Sequence, residues 1–62
     1  MLYHISYYFE DSKRNEYLNE AHFKSDIECY QFAKTKKVQK GAKGFSIFRK
    51  TSRGWKTIVS EN

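Results

Sequence analysis

Residues 25–41 carry the start and stop signals of one helix in the middle of a 62-residue chain, and this constrains the fold most. Ser25 and Glu28 form a capping box, in which the serine hydroxyl accepts a hydrogen bond from the amide of the third helical residue. Asp26 follows the cap, and lysines precede Gly41, an order that suits the helix dipole. The pattern predicts a single helix with other elements on both sides.

Before the helix, residues 2–9 alternate between apolar and more polar side chains. Tyr3, Ile5, Tyr7 and Phe9 fall on one face, which is typical of a half-buried strand. Residues 11–15 form a polar break, and residues 16–23 resume the spacing of a strand. We therefore expect an antiparallel hairpin here.

After the helix, two further strand-like segments cover residues 45–50 and 55–59. The loop between them ends in Gly54, as a hairpin turn often requires. The element order is then ββαββ, an α+β fold in which two antiparallel hairpins form a four-stranded sheet with one helix packed on one face. A chain of this length is one domain, 1–62.

The apolar positions predict which side chains lie between helix and sheet. On the helix they are Ile27, Tyr30, Ala33 and Val38, with Cys29 at the margin. On the sheet we expect the helix to cover Tyr3, Ile5, Tyr7, Phe45, Ile47, Trp55, Thr57 and Val59. Strict alternation then directs the following residues outward: His4, Ser6, Tyr8, Leu18, Glu20, Ser46, Phe48, Lys50, Lys56 and Ile58.

Charge is distributed unevenly along the chain. Residues 34–62 hold nine of the twelve basic residues and one of the seven acidic ones. Like charges gathered in this way favour a negatively charged partner. The composition therefore indicates a small, basic, non-enzymatic domain that binds nucleic acid, with an affinity that falls as salt rises.

The residues that we expect to contact phosphates are basic side chains of the C-terminal half: Lys36, Lys37, Lys40, Lys43, Lys50, Arg53 and Lys56. Tyr8 and Phe48, interleaved with lysines on the uncovered face of the sheet, are the expected stacking or partner-contact residues. Solvated surface lysines at a helix end are the simpler explanation for part of this set.

Two alternatives concern the same uncovered face. An inhibitor or adaptor module, of the kind found in phages and mobile elements, would dock on an acidic protein through its aromatic side chains. A homodimer would cover the face with a second copy and leave the basic edges for duplex DNA.

Several classes of site are not indicated by the sequence. His4, His22 and Cys29 lack the spacing of a zinc site, so we expect no metal and no cofactor. Cys29 is expected to be a small apolar filler rather than a nucleophile, and a lone cysteine is consistent with the cytoplasm. No signal peptide or membrane-spanning stretch is evident, so we expect no membrane partner.

Overall fold

The computed structural model describes residues 1–10 and 15–62, and it confirms the α+β fold with one helix packed on a sheet. The predicted polar break at residues 11–15 lies, apart from Asn15, outside the described residues. The elements are β1 (Leu2–Tyr8), β2 (Asn15–His22), α1 (Asp26–Lys40), β3 (Gly44–Thr51) and β4 (Gly54–Glu61).

The four strands form one antiparallel sheet in the order β2-β1-β3-β4. The two hairpins therefore meet where β1 pairs with β3. Helix α1 connects edge strand β2 to central strand β3, and it packs on β1 and β3. One face of the sheet is thus covered by the helix, and the other, the open face, has no second layer among the described residues.

The core lies between α1 and the two central strands. Tyr3, Ile5 and Tyr7 of β1 are buried, as their alternation predicted. They pack with Phe9, with Phe45 and Ile47 of β3, and with Cys29 and Ala33 of the helix. Aromatic rings supply much of this buried volume, which suits a chain too short for a large aliphatic core.

Both predicted helix ends are confirmed. The Ser25 hydroxyl accepts a hydrogen bond from the amide of Glu28 at 3.2 Å. Gly41 adopts a left-handed conformation with φ of 69°, which glycine tolerates without steric cost. The next residue, Ala42, donates its backbone N–H to the carbonyl of Lys37 and so ends the helix.

The predicted apolar stripe of the helix was partly wrong. Ile27 and Val38 are 70% and 77% exposed, whereas Cys29, placed at the margin by the sequence pattern, is fully buried with Ala33. The helix approaches β1 and β3 through its smallest side chains because the sheet presents large rings there. Small residues at the contact let the two layers come close enough to pack.

The predicted outward and inward positions of β4 were also wrong in part. The pairing of β3 with β4 is irregular between Ile47 and Phe48, so that Val59 pairs with Ile47 while Thr57 pairs with Phe48. An extra residue at such a bulge exchanges the two faces of the strand beyond it. Trp55 and Thr57 therefore lie on the open face, and Lys56 lies on the helix side, opposite Arg49.

A second irregularity corrects β2. The pairing of β1 with β2 shifts between Tyr3 and Ile5, and Leu18 consequently pairs with Ile5 on the helix side instead of pointing outward. Leu18 packs against the core, as does Ile58, which was also predicted to point outward. No helix of the described residues is long and apolar enough to cross a membrane.

Candidate functional site

On the open face, an aromatic ring from each of the four strands joins one cluster. Tyr17 stands on β2, His4 on β1, Phe48 on β3 and Trp55 on β4, so the rings follow the strand order across the sheet. We call these four residues the aromatic row. The row therefore includes a ring from each edge strand and from each central strand of the sheet.

His4 is the centre of the aromatic row. Its ring centroid lies 5.4 Å from that of Tyr17, 5.7 Å from that of Phe48 and 6.1 Å from that of Trp55. The rings are tilted or edge-on to one another, the arrangements that aromatic pairs favour. The row is therefore one continuous surface of rings.

The two outer rings of the row are open to solvent. Tyr17 is 58% exposed and Trp55 is 49% exposed, whereas His4 and Phe48 are half-buried between them. Large aromatic side chains gathered in one exposed patch usually mark a contact surface. Each ring also offers a face on which another planar group can stack.

Positive charge stands at the β4 end of the aromatic row. Lys50 pairs with Trp55 across the strands, and its Nζ lies 5.4 Å from the centre of the Trp55 ring. Arg53 follows at the tip of the hairpin, where its amide donates to the Thr51 hydroxyl at 3.2 Å and Gly54 takes up a φ of 115°. A cation next to an exposed ring can contact a phosphate while the ring contacts the base.

The acidic side chains with resolved partners lie on the helix side. The Asp26 carboxylate accepts hydrogen bonds from the Tyr3 hydroxyl and from Arg49 Nη1, the latter at 2.6 Å. These two donors, Tyr3 first, hold the pKa of Asp26 below its ordinary 3.8. Tyr3 in turn has its pKa raised to about 12, by burial and by the neighbouring Asp26.

Two further ion pairs neutralise charge on the helix side. Lys40 contacts Glu16 at 2.8 Å, and Lys34 lies 3.7 Å from Glu61. A hydrogen bond from the Tyr30 hydroxyl and the nearby lysines lower the pKa of Glu61. In contrast, no acidic residue stands on the open face among strand residues whose side chains are described. Lys50 on the open face therefore has no acidic neighbour among these strand residues.

Tyr8 is held apart from the aromatic row. Its hydroxyl is hydrogen-bonded to Ser46 at 2.6 Å, and Ser46 is bonded to Ser60 at 2.8 Å. Tyr8 pairs with Gly44, four residues along β3 from Phe48, or about 13 Å away. The structure thus keeps Phe48 in the candidate site and does not bring the two predicted stacking residues together.

The predicted phosphate-contact residues are divided between the two sides of the molecule. Lys50 stands beside the aromatic row, Arg53 is at the tip of the same hairpin, and Lys56 is on the helix side. Lys36, Lys37 and Lys40 belong to the last turns of α1, and Lys43 follows the helix. These seven residues do not form one surface.

Sequence reasoning missed His4, Tyr17 and Trp55 as site residues. Alternation did direct His4 outward, but its role depends on neighbours from other strands. Trp55 was assigned to the core because the bulge in β4 leaves no mark in the sequence that a periodic pattern can detect. The signal that the sequence did offer was its number of aromatic residues, five Tyr, five Phe and one Trp in 62 residues, which is high for so short a chain.

Two observations on the described residues concern metal ligands and the thiol of Cys29. No group of three or more His, Cys, Asp or Glu side chains there is arranged to hold a metal ion. Burial raises the pKa of the Cys29 thiol to about 11, so the thiol is protonated at neutral pH.

Comparisons with known proteins do not add to this picture. The chain matches no protein-family model, and no curated protein or solved structure shows significant similarity to it. Function must be argued from the geometry of the open face.

Proposed function

We propose that the protein is a small, non-enzymatic, cytoplasmic accessory protein that binds single-stranded nucleic acid on the open face of its sheet. The observation that carries the proposal is the aromatic row, in which His4 joins three rings from three other strands into one exposed surface. Four-stranded sheets with exposed rings stack two or three unpaired bases in this way.

Charge supports the same face. Lys50 and Arg53 would contact phosphates at the β4 end of the aromatic row. The acidic side chains in ion pairs on the helix side would not repel the bound nucleic acid. The net charge of +5 would assist association over a longer range. Duplex DNA fits less well, because its bases are stacked on each other and offer no free ring face to the row.

The test compares labelled single-stranded and duplex oligonucleotides by fluorescence anisotropy across a salt series. We expect single strands to bind more tightly, with a salt dependence that corresponds to a few phosphates. Replacing Phe48 or Tyr17 with alanine should weaken binding by about 1–3 kcal/mol, the usual contribution of one stacked base.

Two matched variants separate the open face from the basic helix end. Lys50→Gln and Lys37→Gln remove the same charge, one beside the aromatic row and one on α1. We expect Lys50→Gln to lower affinity and to reduce the salt slope by about one contact, while Lys37→Gln changes little. Equal effects of both variants on affinity would show that these lysines act only through the net charge of the protein and not through a contact at the aromatic row.

A protein partner is the competing candidate, because exposed Trp and Tyr side chains are also typical of the energetic centres of protein interfaces. It predicts that no oligonucleotide binds even at low salt. A homodimer through the open face would bury the same rings, so oligonucleotide and a second copy would compete. Single strands should then dissociate any dimer seen by sedimentation.

A further inference from the structure

A cleft on the other side of the molecule lies between α1 and edge strand β2. Its volume is about 330 Å³, which is within the range of small-molecule sites. Its lining combines apolar and charged side chains: Tyr7, Glu16, Tyr17, Leu18, Phe32, Lys36 and Lys40. Most of this lining belongs to the helix side of the sheet, and Tyr17 on edge strand β2 is the residue that the cleft shares with the aromatic row.

A buried polar group of the cleft lining has no partner. Tyr7 is 1% exposed, and its hydroxyl makes no hydrogen bond in the described part of the chain. Burial raises the pKa of Tyr7 to about 12, so the hydroxyl is protonated at neutral pH and can donate. The hydroxyl has no surface that a ligand could contact, so Tyr7 contributes its ring to the cleft wall.

The charges of the cleft favour an anion. Lys40 is already occupied, because it contacts Glu16 at 2.8 Å and stands 5.4 Å from the centre of the Tyr7 ring. Lys36 lies over the Phe32 ring at 5.7 Å, and no ion pair of the described residues includes it. One cation of the lining is therefore left for a ligand, next to an aromatic ring.

We propose that this cleft binds a small carboxylate with a planar apolar body. The body would lie against Leu18, Phe32 and the Tyr7 ring, and the carboxylate would pair with Lys36. A neutral analogue would leave Lys36 without its counter-charge, and a purely polar anion would not fill the apolar walls.

The probe for this site is 1-naphthoate, with 1-naphthalenemethanol as its uncharged counterpart. Amide chemical shifts of the labelled protein should move at residues 16–18 and 32–40 as 1-naphthoate is added. The alcohol should bind at least about fivefold more weakly, which is the effect expected of one lost charge-assisted hydrogen bond. Equal binding of both compounds, or no shift changes with either, would overturn the proposal.

Variants test the ion pair with Lys36. Lys36→Gln should weaken the binding of 1-naphthoate about fivefold to tenfold, while Lys37→Gln, its neighbour outside the lining, should not. Tyr7→Phe should leave the affinity unchanged, because the hydroxyl that it removes is not accessible from the cleft. An unchanged affinity in Lys36→Gln would refute the assigned contact.

The outcome is separable from that of the nucleic-acid proposal. Binding of 1-naphthoate without any oligonucleotide binding would support this cleft and reject the open face as a nucleic-acid site. Because Tyr17 belongs to both surfaces, the separating variant is Phe48→Ala, which should weaken oligonucleotide binding and leave the affinity for 1-naphthoate unchanged.

Discussion

At the scale of single residues, two buried tyrosines of β1 differ in one respect. Tyr3 and Tyr7 are both almost completely buried, yet the Tyr3 hydroxyl bonds Asp26 while that of Tyr7 has no partner in the described structure. The same chemical change at the two positions should therefore have opposite effects on stability.

We expect Tyr7→Phe to raise the free energy of unfolding by about 1 kcal/mol, because it removes an unsatisfied buried hydroxyl. Tyr3→Phe should lower it by about 1.5–3 kcal/mol, because a hydrogen bond to a carboxylate is lost. Urea unfolding of both variants measures the difference. Destabilisation by Tyr7→Phe would mean that its hydroxyl is satisfied in solution.

The Asp26 carboxylate links stability to pH. Tyr3 and Arg49 lower its pKa in the folded protein. The carboxylate therefore contributes fully to the free energy of unfolding above its ordinary pKa of 3.8, and this contribution is lost as the pH falls through the lower pKa of the folded protein. The stability difference between the protein and its Asp26→Asn variant should therefore shrink as pH falls from about 5 to about 2. A difference that stays constant over this interval would contradict the assigned contacts.

At the scale of elements, the sequence predicted the helix and the strands well because their signals are local. The capping serine, the stop at Gly41 and the alternation in β1 all depend on neighbours in the chain. The faces of β2 and β4 were harder to predict, because each depends on a pairing irregularity with another strand. A shift of one residue moves a side chain to the opposite face, and Trp55 shows the consequence.

The contact between helix and sheet gives a prediction for α1. Because Ile27 and Val38 are exposed, replacing either with alanine should change the free energy of unfolding by less than about 0.5 kcal/mol. Ala33 is fully buried against the sheet, so Ala33→Leu should overpack the contact and destabilise the fold by about 1–3 kcal/mol. Chemical denaturation of the three variants measures this. A large loss of stability on replacing Ile27 or Val38 would mean that α1 is rotated about its axis so that this side chain faces the sheet.

At the scale of the whole molecule, the two faces of the sheet differ in the side chains that they carry. The helix side gathers the core and the resolved ion pairs, while the open face gathers exposed rings and Lys50. Charge asymmetry along the sequence predicted a basic surface, but it did not locate the surface, because folding separates Lys50 and Arg53 from the lysines of α1. The candidate site arises only when four strands are assembled.

The most direct test of this account maps the oligonucleotide contact by nuclear magnetic resonance. A single-stranded oligonucleotide is titrated into isotope-labelled protein, and amide and aromatic shifts are followed for every assigned residue. The account predicts that the largest changes occur at His4, Tyr17, Phe48 and Trp55, with Lys50 and Arg53 beside them. Changes confined to the lysines of residues 34–43, with an unperturbed aromatic row, would contradict it.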